Sequence, residues 1–325
     1  MDCRSEEEAI DRINTLGRSA HPFLFAVDYA KRHAYVSPLE EIDPNEVLYA
    51  FPSWSNTPPP PPKRAFEWTV RPESEETYRR KFEIVNANLR RGNSFLVNLT
   101  ARVPVETDLS LRDIHLAARA PYRLWMRDRF SCFSPEPFIR IREGRVSGFP
   151  MKGTIRADIP DAESLLLEDG KETAEHATVT DLIRNDLSII ATHVRVKRYR
   201  YVERIRTCRG EILQTSSEIT GRLPPDYRKN LGHLLFSQLP AGSITGAPKP
   251  KTIEIIRDAE DYDRGFYTGV MGICHDGNLD SAVMIRMVCQ EDGKLYFKAG
   301  GGITARSRWE NEYDELIRKT YAPIH

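Results

Sequence analysis

Cysteine is sparse. The chain has five in 325 residues, at Cys3, Cys132, Cys208, Cys274 and Cys289, with no Cys-x-x-Cys among them. An odd, scattered set argues against a disulfide framework and against structural zinc, and the expected compartment is the reducing cytoplasm. Net charge is lacking as well, since 47 basic residues cancel 47 acidic ones. A polyanion gains little from such a surface, so neither nucleic acid nor a membrane is expected as a partner. No apolar run approaches the roughly 20 residues that a spanning helix needs. The opening stretch "MDCRSEEEAI" is acidic and polar, unlike a secretion signal. No Gly-x-Ser-x-Gly nucleophile turn occurs, and the one glycine cluster, "KAGGGITARS", does not match dinucleotide or P-loop spacing.

What is present is a chain long enough for one large domain or two ordinary ones, 40% hydrophobic. "FLFAVDYAKRHAYVSP" and "EVLYAFP" read as early strands, followed by five prolines, Pro58 to Pro62, that form a stiff surface connector. Residues 1–63 are therefore expected to be a short β-rich segment with a proline-rich connector, part of the same domain as residues 74–325. Ser74 to Gly92 has helical periodicity, with Ser74 as N-cap and Gly92 at its end. Further helices are expected near 163–190, 225–239, 247–258 and 306–320. Elsewhere strand-like runs are joined by the turn dipeptides Glu143-Gly144, Asp276-Gly277 and Asp292-Gly293. The pattern is an antiparallel meander rather than alternating βαβ, so the fold class is α+β with a large antiparallel component.

Several stretches carry candidate chemistry. Glu172 and Glu175 form one Glu-x-x-Glu pair, and Glu312 and Glu315 another. On a helix each pair shares a face, which is usually solvated. Two pairs converging would make an oxygen-rich site of the kind magnesium prefers. "GSITGAPKPKTIEII" is a loop feeding a helix, able to offer backbone N–H groups and the Thr245 hydroxyl to an anion, or simply an ordinary helix start. Gly300 to Gly302 either let the backbone approach a ligand or form a flexible turn. Arg286 interrupts an apolar strand and needs a carboxylate, of the protein or of a ligand. Lys319 lies four residues after Glu315, the spacing of an intrahelical ion pair. Lys152, in "GFPMKGTIRAD", is a turn lysine, an anion ligand or a nucleophile. His176 follows Glu175 directly, points elsewhere and is taken as structural.

The motifs "FLVNLT", "SPEPF", "MKGTIRAD", "AEHATVTDLIRNDL", "GSITGAPK", "RGFYTGVMG", "AGGGIT" and "EYDELIRK" follow one another in the order seen in the chorismate-utilising enzymes, from about residue 74 to the C-terminus. The resemblance implies two large antiparallel sheets forming a sandwich-like core flanked by helices. It implies chorismate as substrate and Mg2+ as cofactor, with Glu175 and Glu315 as principal ligands and Glu172 and Glu312 in support. Thr245, Tyr267, Arg286, Gly301, Gly302 and Lys319 match positions that hold the substrate. Most members resemble one another in having alanine where this chain has Lys152; lysine there resembles the aminodeoxychorismate synthase branch. In that branch the lysine attacks chorismate C2, the C4 hydroxyl leaves with a proton from the residue matching Glu136, and ammonia displaces the lysine. The product feeds p-aminobenzoate and folate synthesis. Gln214 stands where the family usually has histidine. No Gly-x-Cys-x-Gly glutaminase turn is present, so ammonia is expected from a separate glutamine amidotransferase subunit. The family's tryptophan-binding region looks reduced. An anthranilate synthase component or a non-catalytic chorismate-binding protein are the rival expectations.

Overall fold

A computed structural model describes residues 3–62, 64–207, 210–321 and 324. Of the five cysteines, Cys208 lies outside the described residues; the other four are free. Two nine-stranded sheets dominate, and every strand pair in them is antiparallel. Sheet I runs, in spatial order, Met151–Arg156, Gly210–Arg222, Arg145–Gly148, Pro137–Arg142, Asn278–Val283, Val270–His275, Phe23–Val27, Ala34–Pro38, with Thr192–Thr207 also paired to Gly210–Arg222. Sheet II runs Gly246–Ala247, Leu96–Thr107, Lys294–Ile303, Met287–Glu291, Phe130–Ser134, Tyr122–Met126, Val47–Phe51, Trp54–Ser55, with Trp68–Val70 also paired to Leu96–Thr107.

Burial shows how the layers stack. In the wholly apolar run Phe23–Val27, Phe23, Phe25 and Val27 join a cluster with Leu231, Leu235 and Leu187 of two helices. Leu24 and Ala26 join a different cluster with Leu124, Phe130 and Met287 of sheet II. Side chains alternate across a strand, so this strand is buried on both faces. On the far side of sheet II, Leu48 and Leu99 pack with Phe82, Ile256 and Leu316, which come from three more helices. The order is helices, sheet I, sheet II, helices, which is the α+β sandwich expected from the sequence.

Local signals explain most of the elements. Residues 143, 144, 276, 277, 292 and 293 all have positive φ, from 49° to 75°. These are the two-residue hairpin turns that suit the twist of the flanking strands. Ser74 caps the helix Glu75–Arg90 by accepting from the Thr77 N–H. The helix expected over 163–190 is two, Ala162–Glu168 and Gly170–Ile190. Asp169 separates them, extended in its backbone and accepting the Glu172 N–H at 3.0 Å. The others appear as Tyr227–Asn230 running into Leu231–Ser237, then Lys249–Ala259 and Trp309–Lys319. Two helices were not expected. Glu6–Arg18 opens the segment anticipated as β-rich, and Leu111–Ala117 follows the long strand of sheet II. No helix is long and apolar enough to cross a membrane among the described residues.

Candidate active site

The chain passes between the two sheets at two short crossings that bear on function. Sheet II strand Phe130–Ser134 leads to sheet I strand Pro137–Arg142, with Glu136 between them. Sheet I strand Asn278–Val283 leads to sheet II strand Met287–Glu291, with Arg286 between them. Both side chains line one cavity of about 520 Å³. Lys152, Glu172, Glu175, Tyr267, Gly301, Gly302, Glu312, Glu315 and Lys319 line the same cavity. Thr245 does not: it is fully buried, while its neighbours Ser243 and Ile244 form the wall.

Lys152 reaches the cavity because its strand is irregular. Pairing with Gly210–Arg222 shifts register between Met151 and Thr154, a bulge that leaves Lys152 and Gly153 out of the ladder. Bulges re-aim side chains in this way. Gly153 has φ +82°, and a Cβ there would lie 3.2 Å from a Glu172 oxygen. Only glycine meets both conditions without strain. The Thr215 hydroxyl donates to the Lys152 carbonyl. The amine itself sits 3.2 Å from Glu175 Oε2.

The glycines at 300 to 302 are strand, not a flexible turn, and pair with Thr100, Leu99 and Asn98. Gly300 is dictated by packing, since a Cβ would lie 2.5 Å from the Leu99 carbonyl. Gly301 opens a cradle instead: a Cβ would lie 3.6 Å from Glu312 Oε2 and Lys319 Nζ and 3.7 Å from Glu315 Oε1. A Cβ on Gly302 would lie 3.6 Å from Lys152 Nζ. Lys319 forms the anticipated ion pair with Glu315 at 2.6 Å and also donates to the Gly300 carbonyl at 2.8 Å. Burial alone would raise the Glu315 carboxyl, but Lys319, with help from Lys152 and Arg318, takes it below the usual range.

Glu136 keeps some surface contact yet is surrounded by protein. That desolvation raises its carboxyl above the usual range, against a hydrogen bond from Ser243 Oγ at 3.1 Å and the charges of Lys152 and Lys319. Such a carboxyl is suited to donate a proton. Burial raises the Tyr267 phenol, with Arg264 and Arg286 opposing. Arg264 stands behind Tyr267, in a buried pair with Glu260 at 2.6 Å. His176 is fully buried against Ser217, 2.6 Å away, and is not part of the lining. Gln214 does line the cavity, opposite Thr154 in the sheet.

The four glutamates suit magnesium in kind, being hard oxygen donors around a space that a single methyl would partly fill. They are not a ready-made cage, because no three acidic, histidine or cysteine side chains are gathered closely enough to hold an ion as placed, among the described residues. Glu175 and Glu315 each have one oxygen engaged by a lysine, Lys152 and Lys319. Sequence reasoning missed Ser243, although it lies inside a quoted motif, and Tyr321, whose hydroxyl accepts from Arg286 at 3.3 Å.

The chain matches the model of the chorismate binding enzyme family over residues 14–325. An uncharacterized PabA-like protein of Haemophilus influenzae is 44% identical over 315 residues, covering 97% of this chain and 96% of that protein. Aminodeoxychorismate synthase component 1 of Klebsiella aerogenes is 34% identical over 267 residues, covering 78% of this chain and 58% of that one. The solved structure of anthranilate synthase component I from Streptococcus pneumoniae superposes with a TM-score of 0.65 at 28% identity, covering 79% of this chain and 59% of that chain.

Proposed function

Because the chain belongs to the chorismate binding enzyme family, we propose that it is the chorismate-converting component of an aminodeoxychorismate synthase. The observation that carries this reading is the placement of Lys152. A bulge turns its amine into the cavity beside Gly302, and Glu136 lines the same space. A lysine amine there can serve directly as the nucleophile of a covalent amination.

Chorismate carries two carboxylates. Arg286 and Lys319 supply cationic donors for them, and the wall at Gly301 and Gly302 leaves room for close approach. Bound magnesium would neutralise a substrate carboxylate and engage the glutamates, Glu175 and Glu315 foremost. The Lys152 amine, free of its proton, forms a bond to C2; both ring double bonds shift by one position, from C1=C2 and C5=C6 to C1=C6 and C4=C5, and the C4–O bond breaks. Glu136 gives its proton to the departing oxygen, which leaves as water. Ammonia then bonds to C4, both double bonds shift back to C1=C2 and C5=C6, and the C2–N bond breaks to free the lysine, yielding 4-amino-4-deoxychorismate. Desolvation keeps the Glu136 proton available for that step. The amine faces Glu175 at 3.2 Å and must leave that contact to reach C2. Gln214 offers hydrogen bonds but no proton shuttle, which suits amination better than elimination of pyruvate. Ammonia is supplied by a separate glutaminase subunit or from solution.

The test is product identity. Chorismate, magnesium and ammonium are incubated with the protein and the products separated by chromatography. The expected product is 4-amino-4-deoxychorismate, convertible to p-aminobenzoate by an added lyase. Accumulation of anthranilate instead would replace this reading with anthranilate synthase. Tight binding of chorismate without turnover at any ammonium concentration would make the protein a chorismate-binding module.

A further inference from the structure

Lys152 and Lys319 each face a glutamate in the cavity, but Arg286 does not. Among the described residues no carboxylate stands at ion-pair distance from its guanidinium. Its partner is a neutral group. Arg286 Nη1 donates to Tyr321 Oη at 3.3 Å, and the guanidinium carbon lies 5.6 Å from the centre of the Tyr321 ring. We propose that Tyr321 is a positioning residue that orients Arg286 for a carboxylate of the ligand while leaving the arginine charge intact. The inference rests on the proposed chorismate site and adds to it the device that presents its arginine.

The physical argument begins with the backbone. Arg286 has φ +57°, a conformation unusual for a residue with a side chain and one that persists only where its surroundings impose it. The Phe133 N–H holds its carbonyl at 2.9 Å. This kink at the crossing between sheets turns both Ile285 and Arg286 toward the cavity, while Met287 is buried. A long side chain leaving a fixed backbone still has several free torsions, and binding must freeze them. A protein carboxylate would freeze them, but it would also occupy two donors and cancel the charge. A phenol hydroxyl accepts from one N–H and cancels nothing, and a ring face favours a cation. Tyr321 lies two residues beyond the helix Trp309–Lys319, which also carries Glu312, Glu315 and Lys319. One element thus sets the arginine, the lysine and half of the acidic groups relative to one another.

Steady-state kinetics with chorismate at saturating magnesium and ammonium test this on the wild type, Tyr321→Phe, Arg286→Lys and the double variant. Phenylalanine keeps the ring and removes the acceptor. The expected result for Tyr321→Phe is a KM raised about five- to tenfold with kcat within about twofold, the signature of lost binding rather than lost chemistry. In the Arg286→Lys background, whose head group does not meet the hydroxyl in the same way, the tyrosine substitution should add little. An unchanged KM in Tyr321→Phe overturns the proposal, and so does an equal effect in both backgrounds, which would mark a general packing role. A wild type that neither binds nor converts chorismate removes the proposed function and this inference together. Normal wild-type turnover beside an unaffected Tyr321→Phe removes this inference alone.

Discussion

Ser243 tunes an acid it could not have been assigned to from the sequence. Its hydroxyl donates to Glu136 Oε1 and so stabilises the charged carboxylate, working against burial. A general acid acts in its protonated form, so activity falls as pH rises through its pKa. Removing the hydroxyl in Ser243→Ala destabilises the anion and raises that pKa. The alkaline limb of the kcat/KM profile should move up by as much as about one pH unit. A limb that stays in place or moves down would separate Glu136 from the acid role. Lys152, Glu136, the four glutamates, Arg286 and Lys319 were legible because ordered motifs name them, and all of them line one cavity. Ser243 and Tyr321 were not. Their contacts join residues 107 and 35 positions apart, and no local pattern announces such a pair. Thr245, in the loop before a helix, is packed beneath the cavity wall, a burial that the local sequence does not announce.

Two helices must keep their spacing for these residues to meet. Gly170–Ile190 carries Glu172 and Glu175, and Lys249–Ala259 follows the loop that carries Ser243. Asp186 of the first pairs with Lys249 of the second at 2.9 Å, and Lys249 also donates to the Gln238 carbonyl. Burial raises the Asp186 carboxyl, with Lys249 opposing. Lys249→Met should therefore destabilise the fold by about 2 kcal/mol near neutral pH, through a charge left unpaired. The sign of the pH dependence follows. The folded Asp186 pKa rises further above its unfolded value, so the folded state binds the proton more tightly. The loss should then shrink as pH falls through that raised pKa and grow as pH rises through it. Denaturant melts across the acidic to neutral range check this, and a loss independent of pH would point to packing instead. Among the elements, the hairpins were legible because a two-residue turn with positive φ selects Asp-Gly and Glu-Gly directly. The helices Glu6–Arg18 and Leu111–Ala117 were passed over although both open with capping boxes, at Ser5–Glu8 and Ser110–Asp113. The first stands in a segment read for its strands, and the second has only seven residues. The break at Asp169 was hidden because helical periodicity continues on both sides of it.

At the scale of the whole molecule, function depends on two sheets that exchange strands beside the cavity. The α+β class followed from hairpin spacing, but the order of strands did not. Phe23 pairs with Cys274, far along the chain, so the early strands complete a sheet whose other members come later. Alternation along a strand says which face is apolar and nothing about which distant strand lies beside it. The layering brings one lysine, one acid and one arginine, each from a bulge or a crossing, against a wall of glycines. The balanced charge, 47 against 47, leaves the electrostatics to this local arrangement. The most direct test of the account is mass spectrometry of the protein quenched during turnover of chorismate with magnesium and without ammonia. The account predicts a chorismate-derived adduct that maps to Lys152 and disappears when ammonium is added. No adduct, together with undiminished conversion of chorismate by Lys152→Ala, would contradict it.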